Sequence, residues 1–431
     1  MKYLNEIGVK HRFRDPLYGY IWLTDEELKI IDTIDTPIFQ RLRRVHQLAL
    51  TKYVYPTAEH SRFVHSLGVV HCATAIFTGL FEHQLTKIST ADATRMLKLL
   101  RYAALLHDIG HLPFSHATEK SLLDTVSHED VSQFIIENYK PIVNILEEDA
   151  PIVASILSSK VKKKYKILHE IISGNLDADR ADYLLRDSYY CGVKYGDYDF
   201  VRYAQSFGAR EIDNYLRLII NERDIFVVES FLVARYHYTL QVPYHRTRTG
   251  YDLSLEVYLK EKKQKGELKN FINIDDFGTV TSLDFEFFED FDDYFVFEMI
   301  KRDYRKNNLW AKILLRQDHL KCLFDELASK EEYIKNFKNN VNLLRQSELE
   351  ENRDFFVATR KVILFKESSE KNAESGEKNK KSILVQKING ELINISDYSE
   401  LIKTVNAEAR LLRIYAAPDK KEIVKKIINE I

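Results

Sequence analysis

"LLHDIGHLPFSHATE", residues 105–119, places three histidines, one aspartate and one glutamate within fifteen positions, in a chain with 14 histidines among 431 residues. Upstream, Met96, Leu99, Leu100, Ala103 and Leu106 recur at helical spacing and mark a buried face. His107 falls four residues after Ala103, on that face, and Asp108 follows it. The pair reads as the end of a core helix that offers one nitrogen and one oxygen inward, with Gly110 allowing a sharp stop. Alone, such a pair is more simply a core histidine satisfied by its neighbour. Partners elsewhere in the chain decide between the two readings.

Two segments supply them. In "SRFVHSLGVVHCATAIF" (61–77), His65, Val69, Cys72 and Ile76 share one helical face, so His65 also points inward. In "NLDADRADYLLRD" (175–187), Asp179, Tyr183 and Asp187 stand at i, i+4 and i+8 beside Leu184 and Leu185. A carboxylate turned inward must be paired or must bind a cation, because an ionised group is costly to desolvate. Three inward helices therefore offer His65, His107, Asp108 and Asp179. Two imidazoles and two carboxylates suit one divalent transition metal (Mn, Fe, Zn or Ni), with open positions for water and phosphate.

The rest of the chain sets the frame. With 45% hydrophobic and 30% charged residues, it can bury a large core. The 63 basic and 65 acidic residues give a formal charge of -2, so no global field favours nucleic acid or an anionic membrane. Cys72, Cys191 and Cys322 form no CxxC pair, which argues against a zinc ribbon or disulfide framework and for a reducing, cytoplasmic setting. No stretch reads as the roughly 20 apolar residues of a membrane span.

The expected fold is mainly α: a helical core with a short N-terminal hairpin at "RDPLYGYIWL" and a small α/β C-terminal lobe. The expected divisions are a core over 1–260, a mostly helical extension over 261–365, a flexible linker over 366–382 and the lobe over 383–431. Residues 215–231 read as two short strands around Asn221-Glu222. The acidic, aromatic stretch 275–296 reads as a solvated helix entrance.

The order H…HD…D with these flanks resembles the HD-domain phosphohydrolase superfamily. "DPLYGYIWL", "IDTPIFQRLRRVHQLALTKYVYPTAEHSRFVHSLGV", "LLHDIGHLPFSHATE" and "DADRADYLLRD" further resemble its SAM-and-HD type of deoxynucleoside triphosphate (dNTP) triphosphohydrolases, over about residues 11–250. The resemblance supports the four metal ligands and implies the other roles. Arg62 contacts the phosphates, where a planar guanidinium can hold two oxygens at once. His111, His116 and His128 face the triphosphate. His116 pairs with Glu119 as a His-acid dyad, although the family more often has Asp there. Gln47 and Leu48 lie beside the sugar, Tyr183 and Tyr244 pack on it, and Asp187 takes the 3′-hydroxyl. His245 stands where the family usually has Gln.

The resemblance also implies a homo-oligomer, dimer or tetramer, with regulatory nucleotide sites that bind GTP or a dNTP as an allosteric activator. Asp35, Gln40 and Arg43 match a guanine-reading set, with Arg202 and Arg246 as further candidates. His11-Arg12 replaces the expected Lys-Val.

The implied activity is metal-dependent conversion of a dNTP, dGTP among the candidates, to deoxynucleoside and triphosphate, with Mg accompanying the substrate phosphates. Two alternatives stand beside it. One is another HD-type phosphohydrolase, acting on a nucleoside monophosphate or an alarmone. The other is a guanine-nucleotide- or nucleic-acid-binding regulator, although nucleic acid is not required by any feature of the chain.

Overall fold

The structure is a computed structural model that describes residues 9–24, 28–83, 88–123, 125–158, 161–362, 382–405 and 409–429. It is mainly α. At its centre the helix Arg62–His83 packs against Thr90–Leu106 and Ala178–Cys191, with Lys166–Ser173 alongside. Val69, Val70, Ala73, Ile76 and Leu80 of the first helix are fully buried. A helix apolar on nearly every side must be surrounded by others. The stretch Arg62–Phe81 in fact reaches the length and hydropathy of a membrane span, which corrects the expectation that none would. Its window is 72% buried inside the fold, as befits a core helix.

Two glycines set the distances that matter. A Cβ on Gly68 would fall 1.9 Å from Asp182 Oδ1, so only glycine lets Arg62–His83 approach Ala178–Cys191 this closely. Gly110 does not supply a left-handed stop after the HD pair. It lies against the helix His128–Asn138, where a Cβ would meet the His128 carbonyl at 2.3 Å and the Ser132 amide nitrogen at 2.4 Å.

The N-terminal hairpin pairs Val9–Asp15 with Gly19–Thr24. Its turn docks on the core, where the Tyr18 hydroxyl donates to Asp182 Oδ1 at 2.9 Å. Two expectations need correction. Tyr215–Asn221 is a strand, but it pairs with Phe207–Ile212, and Ile225–Gln241 is a helix. The β-branched run "IFVVESFLV" packs Ile225, Val228, Phe231 and Leu232 into the core along one helical face, and that burial outweighs strand propensity.

The α/β C-terminal lobe is present, and its sheets take in earlier segments. Its strand Ala409–Ala416 lies between Lys321–Ala328 and Phe355–Val362. Leu384–Gln386 joins the sheet of Tyr215–Asn221, with Leu392–Asn394 at its edge. The 366–382 linker lies outside the described residues apart from Ser382.

The acidic, aromatic stretch is solvated only in part: Asp275, Asp276 and Phe277 are exposed, while other residues turn inward. It forms the strand Val280–Leu283 and the helices Phe285–Asp290 and Asp293–Arg305, with Phe288, Phe291 and Asp293 fully buried. Each buried Phe contributes about 1.5–3 kcal/mol. The carbonyl of Phe291 accepts from Arg41 Nε at 2.8 Å, while Arg41 Nη2 donates to the His111 carbonyl at 2.5 Å. The segment is thereby fastened to the HD loop.

Candidate metal centre

His65 sits in the first turn of Arg62–His83. Its Nδ1 is 2.8 Å from Asp182 Oδ2, and Asp182 is itself held by Arg186 Nε (2.8 Å) and Nη2 (2.9 Å). His107 closes the helix Thr90–Leu106, and its Nδ1 is 2.8 Å from the Ala104 carbonyl. In both rings the outer nitrogen is taken, which directs the Nε2 lone pair inward, the usual arrangement behind a metal-bound histidine. Both Nε2 atoms are buried without a hydrogen-bond partner among the described residues.

Around these nitrogens lie two carboxylates. Asp179 Oδ1 is 3.0 Å from His65 Nε2 and 3.8 Å from His107 Nε2. Asp108 lies 3.2 Å from His107 Nε2 through Oδ1 and 3.6 Å from His65 Nε2 through Oδ2. The ligand atoms of His65, His107 and Asp179 all fall within 4.8 Å of one another. A buried polar atom left unsatisfied costs about 1–3 kcal/mol. The donor set and its two orphaned nitrogens fit a divalent transition ion, and all four expected ligands come together.

Without an ion a proton takes its place. Burial would lower the pKa of His65, but Asp179 and Asp182 outweigh it and raise it to about 10. Burial would raise Asp108, yet Arg62, His107 and His111 hold it well below the ordinary carboxylate range. For Asp179 burial is likewise overcome, by His65 and His107, and its pKa falls to about 2.

A second cluster adjoins the first. Glu119 Oε1 is approached by Nδ1 of His111 (3.1 Å), His116 (3.1 Å) and His128 (3.0 Å). His111 and His128 stack with centroids 3.6 Å apart and planes at 15°. Nδ1 of both rings and Oε1 of Glu119 lack an aligned hydrogen bond. Burial opposes ionisation of Glu119, but the three imidazoles win and hold it well below the usual range. Burial lowers His128 and Glu119 more than reverses that, so its pKa is raised. His111 drops to about 4 through burial, Arg62 and His128. At neutral pH the cluster therefore sets an anionic Glu119 beside a neutral His111, with His128 shifted toward its protonated form. His116 is exposed. His116 and Glu119 of the expected dyad lie 3.1 Å apart, with the acid approached by three histidines rather than one. His128 also opens a helix with a Ser127–Asp130 capping box, so its local and its site-facing readings both hold.

Arg62 is buried beside both clusters, its Nε on Ser115 Oγ at 2.6 Å and its Nη1 on Asp108 Oδ2 at 2.5 Å. Gln47 Oε1 is buried without a partner among the described residues, and Leu48 is buried next to it. Tyr183 lies 5.6 Å from Tyr238, centroid to centroid. Both oxygens of Asp187 are engaged, Oδ1 by His60 Nε2 at 2.6 Å and Oδ2 by the Tyr238 hydroxyl. Tyr244 is half-buried. His245 Nδ1 accepts from the Thr247 amide at 3.2 Å and so caps the helix Arg246–Gln264.

Asp35, Gln40 and Arg43 fall on one short stretch, where Arg43 Nε donates to Gln40 Oε1 at 2.7 Å and its guanidinium lies 3.5 Å over the Phe63 ring. Arg202 instead pairs with Asp224 at 3.2 Å, and exposed Arg246 begins a helix whose first carbonyl accepts from Tyr415.

Sequence reasoning missed Asp182, His60, Tyr238 and Asp293. The i, i+4 spacing of Asp182 and Arg186 was a signal for the first. The others join segments far apart in the chain.

The comparisons agree with this geometry. Residues 62–187 match the HD domain family, which is consistent with the HD-domain phosphohydrolase superfamily. Within it, the chain is similar to the SAM-and-HD type. It is 32% identical over 245 residues to the human deoxynucleoside triphosphate triphosphohydrolase SAMHD1, covering 49% of this chain and 38% of that one. It is 36% identical over 256 residues to YwfO of Bacillus subtilis, covering 58% and 56%. The matched region thus spans little more than half of YwfO and less of the human enzyme. A solved hypothetical protein from Aquifex aeolicus superposes with a TM-score of 0.76 at 28% identity, covering 98% of this chain and 100% of that one.

Proposed function

We propose that this chain is a metal-dependent triphosphohydrolase that converts a dNTP, dGTP among them, to deoxynucleoside and inorganic triphosphate. The observation that carries the reading is the contact between the two clusters. His111 Nε2 lies 3.3 Å from Asp108 Oδ1 while its Nδ1 faces Glu119. Ion site and phosphate-facing histidines are thus one continuous surface.

His65, His107, Asp108 and Asp179 would hold the ion, which supplies Lewis acidity and a lowered pKa for water. Arg62, anchored on Ser115, and His128 stabilise charge on the phosphate oxygens. Water attacks the α-phosphorus, the bond to the 5′ oxygen breaks, and His116, held by Glu119, protonates the departing oxygen. Gln47 Oε1 accepts from the nucleoside. Asp35, Gln40 and Arg43 form the candidate regulatory set of a homo-oligomer, and gel filtration with and without GTP tests it.

The test of the activity is a panel of four dNTPs with Mn²⁺, Fe²⁺, Zn²⁺ or Ni²⁺, with and without GTP. Triphosphate release is expected, and four intact dNTPs under every condition overturn the reading. A second reading, hydrolysis of a different nucleotide phosphate ester, is favoured by the engagement of both Asp187 oxygens, which leaves the 3′-hydroxyl a shared acceptor. Chromatography of products from monophosphates and alarmones separates the two.

A further inference from the structure

We propose that Asp293, outside the matched domain, is a positioning residue that holds the Arg62 guanidinium in the site. The claim about phosphate rests on the triphosphohydrolase reading above. Asp293 is fully buried at the start of Asp293–Arg305. Its Oδ1 accepts from the Phe114 amide at 2.7 Å, and its Oδ2 lies 3.0 Å from the His46 amide nitrogen and 2.6 Å from His46 Nδ1. It therefore ties the loop after Asp108 to His46, which is bridged to Ser61 beside Arg62.

What it ties is strained. Phe114 and Ser115 have φ of 58° and 56° in succession, and neither is glycine. Left-handed residues of this kind cost of order 1–3 kcal/mol each and persist only where their surroundings enforce them. Ser115 is the residue that matters, because its Oγ accepts from Arg62 Nε at 2.6 Å and donates to the His46 carbonyl at 3.2 Å. One carboxylate thus fixes the amide before the turn and the histidine behind it, and the turn aims the hydroxyl that orients Arg62. Neighbouring contacts point the same way. Arg44 pairs with Asp292 and donates to the Glu289 carbonyl at 3.0 Å. The two histidine ligands hang on other supports, Asp182 and the Ala104 carbonyl, while Asp108 shares Arg62 with Ser115.

The test uses the full chain labelled with ¹⁵N-arginine. In the wild type the Arg62 Nε–H is slow to exchange. In Asp293→Asn and Asp293→Ser it exchanges rapidly, and tripolyphosphate binding to the metal-loaded protein weakens about tenfold or more, as expected when a charged hydrogen bond loses its alignment. Each variant is loaded with metal to saturation first, because Arg62 also touches Asp108. The Asn variant keeps the shape and an acceptor for Phe114, which guards against loss of fold. Asp303→Asn, on the same helix and bonded to Tyr258 and Lys262, leaves both readouts at wild-type values. Arg62 protection retained in both Asp293 variants overturns the proposal, as does equal loss in Asp303→Asn. If the wild type binds no tripolyphosphate, the phosphate reading fails, while the Arg62 signal still decides what Asp293 does.

Discussion

His111 and Asp108 meet at 3.3 Å, Nε2 to Oδ1, and through this contact a metal ligand touches the histidine cluster. His111→Gln keeps a polar side chain but breaks the bridge. Turnover should fall roughly 10²–10³-fold, the scale of losing one stabilising donor. Metal content should stay at the wild-type level. Elemental analysis beside steady-state kinetics reads both, and parallel loss of metal would assign His111 to the ion instead.

Asp182 backs the proposed ligand His65 from outside the ligand set. Asp182→Asn weakens the acceptor behind His65 and leaves Arg186 with a poorer partner. Metal affinity should drop about 10–100-fold, as for other residues behind a metal-bound histidine. Competition with a fluorescent chelator measures it, and unchanged affinity would remove Asp182 from the site.

Removal of metal should create a pH dependence. His65 in the metal-free protein has a pKa of about 10, against ~6.5 in an unfolded chain. A raised folded-state pKa gives stability that is complete below the unfolded value and lost as pH rises through the folded one. The apo protein should therefore lose thermal stability between about pH 6.5 and pH 10. The loaded protein, whose His65 is already deprotonated, should lose less. Melting curves with and without chelator over that window check it, and parallel curves would contradict the assignment.

Arg62→Lys keeps the charge and loses the planar fork. KM for a triphosphate substrate should rise about tenfold with metal content intact. A fall in kcat alone would instead place Arg62 at the reacting bond.

The convergence of the proposed ligands was legible because apolar spacing turned His65, His107 and Asp179 toward one interior. Local pattern carries that information, and the three helices need only pack. Asp293 was not legible, because its partner Phe114 is 179 residues away. Ile225–Gln241 misled for another reason. Its β-branched residues favour a strand locally, and only the surrounding core makes it a helix. The α/β character of the C-terminal lobe was legible, but the strands it shares were not, because Ala409–Ala416 completes a sheet begun at Lys321, a pairing no local signal announces.

The most direct test is hydrolysis of dGTP by the metal-loaded protein in ¹⁸O-water, with products weighed by mass spectrometry. The account predicts deoxyguanosine without label and triphosphate with one ¹⁸O, and loss of both products in Asp179→Ala. Label in the nucleoside, release of dGMP with pyrophosphate, or no turnover by fully loaded protein would contradict it.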